Sequence, residues 1–256
     1  MPETNENEVP TPQPKKKRNE LTEAKFFEDV EKIIAEAERE GVAYNPPNPF
    51  ANLSALQTQR NSSAAQRTVN QASDAIEETK RNNRENLYKI LNSDVTSLVD
   101  YVKSAGMPEN DVNALKSIAR TIKGGRAEAI DKNDGAIHIS VAHLSYASRA
   151  DNYARFIEQY ESLGIVATED MYKAATHRAK LAALQQANTE VITAEANTNT
   201  SGELLDKLAY LDDNSLMNGC ISAKAYIKSK YKTTGQPYKN IAKTRFVLPS
   251  RLRKKK

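Results

Sequence analysis

Tryptophan is absent and cysteine occurs once, at Cys220, among the 256 residues. A lone cysteine excludes an internal disulfide, agrees with a reducing compartment, and leaves a cysteine-based zinc site without a second thiolate two to four residues away. No apolar run approaches the roughly 20 residues that span a bilayer. The first eighteen residues are polar and proline-rich and lack the apolar stretch of a secretory signal, so the expected location is the cytoplasm, or a virion if the chain is phage-encoded. Phosphate and metal signatures are missing too. Gly124-Gly125-Arg126 lacks the Gly-Lys-Ser/Thr ending of a phosphate-binding loop and reads as a helix stop. Glu-x-x-His pairs of a di-iron bundle do not occur, because Gly135, Ser140 and Ala174 stand three residues before His138, His143 and His177.

The patterning that is present is helical. Phe26, Phe27, Val30, Ile33, Ile34 and Ala37 recur at spacings of three and four, one apolar stripe on a helix ending at Gly41. Asn45-Pro46-Pro47-Asn48-Pro49 is a loop, since each proline drives its predecessor toward extended geometry. From Phe50 to Ala105 there is neither Gly nor Pro. One helix over that stretch would be about 80 Å long, so a turn is expected inside it, at Arg81-Asn82-Asn83-Arg84. Tyr88, Leu91, Val95, Leu98 and Val102 then form the seam of a helix closing at Gly106, and a shorter helix follows Pro108 up to Gly124-Gly125.

The same order returns in the second half. Tyr146, Tyr153 and Tyr160 stand at heptad spacing on a helix that stops at Gly164, and Met171 to Asn197 forms the next. A turn is expected at Ser201-Gly202, an irregularity at Gly219, and a last short helix after Pro237. Tyr101-Val102-Lys103-Ser104 aligns with Tyr226-Ile227-Lys228-Ser229, Gly41 with Gly164, and Lys116 to Thr121 with Lys239 to Thr244. Subtracting these positions gives a repeat of about 123 to 125 residues, the self-similarity that signals duplicated architecture.

The segments starting at His138 (HISVAHLSYASRADNYARFIEQYESL), Ala223 (AKAYIKSKYKTTGQPYKNIAKTRF) and Ala114 (ALKSIARTIKGGRA) resemble a family of uncharacterised tandem helix-bundle proteins from Bacteroidota-type bacteria. The resemblance implies the duplicated helical architecture and a bacterial or phage setting, and it transfers no functional residue. Ala167-Thr168-Glu169-Asp170 departs from the proline-containing loop of that pattern.

Candidate chemistry is sparse. The three tyrosines of residues 146 to 160 read as core with hydroxyls at the rim, although exposed tyrosines can stack on bases. His143 has no readable paired carboxylate, and Cys220 reads as a small buried hydrophobe. Charge is the remaining lead. Of 37 basic and 33 acidic residues, 25 and 30 lie between the two ends, so the positive excess belongs to the terminal segments. Lys15, Lys16, Lys17 and Arg18 at one end, with Arg245, Arg251, Arg253, Lys254, Lys255 and Lys256 at the other, are the candidate nucleic-acid contacts, because clustered cations attract phosphates without defined geometry.

The sequence thus predicts an all-α protein of two similar antiparallel bundles of about four helices in tandem. Its expected boundaries are a disordered tail (1–18), bundle 1 (19–126), a linker (127–140), bundle 2 (141–248) and a basic tail (249–256). The expected function is a non-enzymatic scaffold or protein-interaction module without cofactor or metal. The alternative is a nucleic-acid-associated protein that grips DNA or RNA through its terminal arms.

Overall fold

The computed structural model describes residues 23–124 and 145–253, and among them there are helices and no strands. Seven α-helices follow one another: α1 (Glu23–Glu40), α2 (Leu53–Ser104), α3 (Glu109–Lys123), α4 (Tyr146–Ser162), α5 (Ala174–Asp206), α6 (Leu216–Tyr231) and α7 (Gln236–Ile241). The expected tail at 1–18 and linker at 127–140 lie outside the described residues.

Helix ends fall where local chemistry stops them. Gly41, Gly106, Gly124 and Gly164 all have positive φ, the left-handed region in which a Cβ is costly. At α3 the Gly124 amide closes on the carbonyls of Arg120 and Thr121. Ser145 and Ser215 open α4 and α6 by accepting from the backbone N–H of Ser148 and Asn218.

Neither interior turn expected from composition is present. The helix α2 continues through Arg81-Asn82-Asn83-Arg84, where Arg81 pairs with Glu77 one turn back at 2.7 Å and with Glu195 of α5 at 2.9 Å, and the Arg84 guanidinium lies 4.1 Å from the Tyr146 ring centre. Polar residues without Gly or Pro carry no instruction to stop a helix once a neighbouring helix supplies partners. Likewise α5 runs through Ser201-Gly202, because Ser201 is buried and its carbonyl accepts from Gln66 of α2 at 3.1 Å. The break comes later, where Lys207–Leu211 forms a π turn and Asp212 to Asn214 lead into the Ser215 cap. Gly219 sits inside regular helix α6 rather than at an irregularity.

These continuous helices change the domain organisation. The described residues form two compact units: unit 1 is 23–65 with 205–253, and unit 2 is 66–124 with 145–204. They are not the successive halves 19–126 and 141–248, because α2 and α5 pass from one unit to the other without a turn. Unit 1 holds α1, the start of α2, α6 and α7, and unit 2 holds the rest of α2, α3, α4 and nearly all of α5.

In unit 1, Phe26, Val30, Ile33, Ile34 and Ala37 of α1 pack with Leu56, Leu205, Tyr210, Leu216, Cys220, Ala223, Ile227 and Ile241. Burying each large apolar side chain stabilises by about 1.5–3 kcal/mol. In unit 2, Tyr153, Phe156, Ile157 and Tyr160 of α4 pack with Tyr88, Leu91, Val95, Leu98, Val102, Leu115 and Ile122 of α2 and α3. The buried stripe of α1, Val30, Ile33, Ile34 and Ala37, has the same spacing as the buried stripe of α4, Tyr153, Phe156, Ile157 and Tyr160.

Candidate interaction surfaces

Bonds among buried polar groups decide which side chains are left for chemistry. In unit 2 the buried His177 ring meets the Tyr153 hydroxyl through Nδ1 at 2.6 Å and the Met171 carbonyl through Nε2 at 2.9 Å. A carbonyl can only accept, so Nε2 carries the proton and Nδ1 accepts from Tyr153; one neutral tautomer satisfies both bonds. Burial, with Lys180 close by, holds the imidazole below its usual range, and the bond to the Met171 carbonyl and the Asp94 charge only partly offset this. Tyr153 is pushed upward by burial, and the Tyr160 hydroxyl donates to the Tyr172 carbonyl at 2.7 Å. The tyrosine stripe is therefore core, and the hydroxyls of Tyr153 and Tyr160 are used internally instead of reaching the rim.

A second polar knot ties three helices of unit 2 together. Arg149 of α4 donates to the Ile122 carbonyl at 2.9 Å, to the Tyr88 carbonyl at 3.1 Å and to Asn92 Oδ1 at 2.8 Å, with its guanidinium 4.8 Å from the Tyr88 ring centre. It serves an orphan carbonyl in the last turn of α3, which a helix end otherwise leaves to water. Tyr88 in turn donates to the Tyr146 carbonyl and receives Asn188.

In unit 1 two buried carboxylates of α1 fasten the end of the chain. Asp29 accepts the Arg245 backbone N–H at 3.0 Å, and Glu36 accepts Asn240 at 3.0 Å. Lys224 donates to the Ala242 and Thr244 carbonyls at 3.0 and 2.7 Å, closing the end of α7. Phe246, Leu248 and Leu252 lean on the core, with the Phe246 ring 6.1 Å from Phe26. Residues 249–253 are consequently part of unit 1, and the segment 249–256 is not wholly a tail. Among the candidate nucleic-acid contacts, Arg251 is engaged by Asp206 and Glu23, and Arg253 donates to the Leu248 carbonyl at 2.8 Å. The Arg245 side chain is exposed. Lys15, Lys16, Lys17, Arg18, Lys254, Lys255 and Lys256 lie outside the described residues.

Two surface features escaped the reading of composition by segments. One is the length of the acid-free run: no Asp or Glu follows Asp213, and the run takes in Lys224, Lys228, Lys230, Lys232, Lys239 and Lys243 before Arg245. On α6, Lys230 lies 5.1 Å from the Tyr231 ring and 5.9 Å from Tyr226, and Lys228 lies 5.9 Å from Tyr238. Counting charge back to the last carboxylate would have found it. The other is an open groove of about 320 Å³ in unit 2, floored by Val99 and Ala119 and edged by Lys116, Arg120, Lys123 and Asp100. The i, i+4, i+7 spacing of its three cations places them on one face of α3. Lys123 donates to Thr96, whereas Lys116 and Arg120 are exposed and spend no charge on a neighbour among the described residues.

No group of three or more His, Cys, Asp or Glu among the described residues is arranged to hold a metal ion, and no described helix is long and apolar enough to cross a membrane. Cys220 is fully buried, and burial raises its thiol pKa, which suppresses the thiolate. No family model, curated protein or solved structure matches this chain.

Proposed function

We propose that this protein is a non-enzymatic scaffold or protein-interaction module that works in the cytoplasm, or in a virion if phage-encoded. One contrast carries the reading: buried His177, Tyr153, Tyr160 and Asp29 are spent on internal bonds, while Lys116 and Arg120, exposed beside an apolar-floored groove, pair with no carboxylate among the described residues. Interior groups that hold each other fix a shape, and free cations around an apolar strip suit an acidic amphipathic partner. The test uses the full chain and its Lys116→Glu/Arg120→Glu variant as baits for proteins of the source cell. A partner held by the first and lost by the second, with helical content unchanged, supports the reading; identical captures refute it.

The acid-free, tyrosine-interleaved run after Asp213 favours a second reading, contact with nucleic-acid phosphates. Because Arg251 and Leu252 belong to unit 1, the probe is removal of 254–256 with Arg253→Gln, which spares both. Nonspecific duplex DNA or RNA binding should weaken, with a shallower dependence on salt; unchanged binding, or none at low salt, removes this reading.

A further inference from the structure

Between Gln66 and Asn83 no α2 residue is fully buried, and the half-buried ones recur at 66, 67, 70, 73, 77 and 80, a single seam. Opposite it, Leu184, Ala187, Val191, Ala194, Thr198 and Ser201 of α5 keep strict three-four spacing. Gln66 to Ser201, Lys80 to Glu190 and Tyr88 to Asn188 fix the two helices as antiparallel. All of this lies within unit 2. A two-helix ribbon has two outer sides, and here they differ in kind.

On one side α2 presents Asp74, Glu78 and Arg81, the last paired with Glu195 of α5, and α5 adds there Ile192, 64% exposed, as an isolated apolar side chain. On the other it presents Val69, Ala72, Ile76 and Thr79, with no charge, and Val69 and Ile76 are 52% and 55% exposed. The α5 residues at the corresponding positions are Thr193, Asn197 and Leu204, the last 45% exposed; Glu190, on the same side, is already paired with Lys80 at 2.9 Å. In a chain with 27% charged residues, a helical side whose charges, Lys80 and Glu190, cancel in one ion pair and whose β-branched and small side chains stand at heptad spacing is built for helix packing.

We propose that this charge-balanced side is a homodimer interface, occupied by the same side of a second copy to complete a four-helix layer. Three observations choose a second copy over a foreign helix. The face has no net charge to seek an oppositely charged partner. It is self-complementary: a two-fold axis crossing α2 near Ala72 sets Val69 of one copy beside Ile76 of the other, with Ala72 leaving room between them. Its size suffices, because about 20 residues at 1.5 Å rise and two helices of about 10 Å give roughly 600 Å² per copy, or about 1,200 Å² in all, at the lower bound of stable interfaces. The inference goes beyond the scaffold reading and stands or falls separately from it, since the α3 groove is a different surface.

The test is the mass of the full chain in solution by sedimentation or light scattering. At about 1 to 100 µM the species should have twice the chain mass of 28.4 kDa. The Val69→Asp/Ile76→Asp variant should fall to the chain mass with its helical circular dichroism intact, and Gln71→Asp on the charged side should remain dimeric. Should the double variant misfold, Thr79→Lys supplies the same test with an exposed residue. A wild-type chain that stays monomeric at the top concentration overturns the proposal, as does a folded V69D/I76D (or T79K) chain that keeps the doubled mass, or an assembly larger than two. Loss of the captured partner in the α3 variant with the dimer intact would separate the two readings.

Discussion

Two glycine-to-alanine changes inside helices should move stability in opposite directions, and the structure gives the sign of each. In an unconstrained helix interior alanine exceeds glycine by about 0.8–1.0 kcal/mol, because it costs less backbone entropy. Gly202 of α5 has room: a Cβ there meets only Asn70 Oδ1, at 3.4 Å, so Gly202→Ala should stabilise by about 0.5–1 kcal/mol. Gly219 of α6 has none, since a Cβ would lie 2.8 Å from Gln59 Oε1, 2.9 Å from the Phe50 carbonyl oxygen and 3.0 Å from Leu56 Cδ2. Gln59 can swing aside, but the Phe50 oxygen is backbone in the turn that starts α2, and Leu56 is fully buried. Opening such a contact costs about 1–3 kcal/mol, which outweighs the propensity gain and leaves Gly219→Ala destabilised by about 0.5–2 kcal/mol. Urea unfolding followed by circular dichroism reads both, with Gly219 reporting on unit 1 and Gly202 on unit 2. If Gly219→Ala raises the midpoint as Gly202→Ala does, the close approach of α6 to the start of α2 is wrong.

Three further outcomes follow. The fold holds His177 neutral with its pKa below the unfolded value of about 6.5, so the unfolded chain binds a proton that the fold refuses; stability should fall as pH drops below about 6.5 and level off under the folded pKa, and a His177→Gln variant with the same pH slope as wild type between 7.5 and 5.5 would contradict it. Arg149→Met removes the donors to Ile122, Tyr88 and Asn92 and should cost about 2–4 kcal/mol in unit 2, measurable as a lowered urea midpoint; a loss under about 0.5 kcal/mol would show that water replaces it freely. Cys220 should react with a thiol reagent only as fast as unit 1 opens, so labelling should accelerate with urea; prompt labelling of the native chain would mean the residue is not in the core.

Sequence alone determined the helical class, because apolar spacings of three and four, the glycine stops at Gly41, Gly106, Gly124 and Gly164, and the Pro-started short helices are local rules that each segment obeys on its own. It also marked the buried faces of α1 and α4, Val30 to Ala37 and Tyr153 to Tyr160, but not those from α5 through the π turn to α6, where the apolar Ile192, Leu204, Leu211 and Ile221 are exposed. What tertiary structure decided is continuity. Whether Arg81-Asn82-Asn83-Arg84 or Ser201-Gly202 bends depends on Glu195 and Gln66, which lie more than a hundred residues away and offer partners that no window of sequence contains. From that continuity follow the composition of the two units, the capture of Arg251 by Glu23 and Asp206, and the two unlike sides of the α2–α5 ribbon, because charge placed by helical periodicity acquires a side only when a second helix covers the seam.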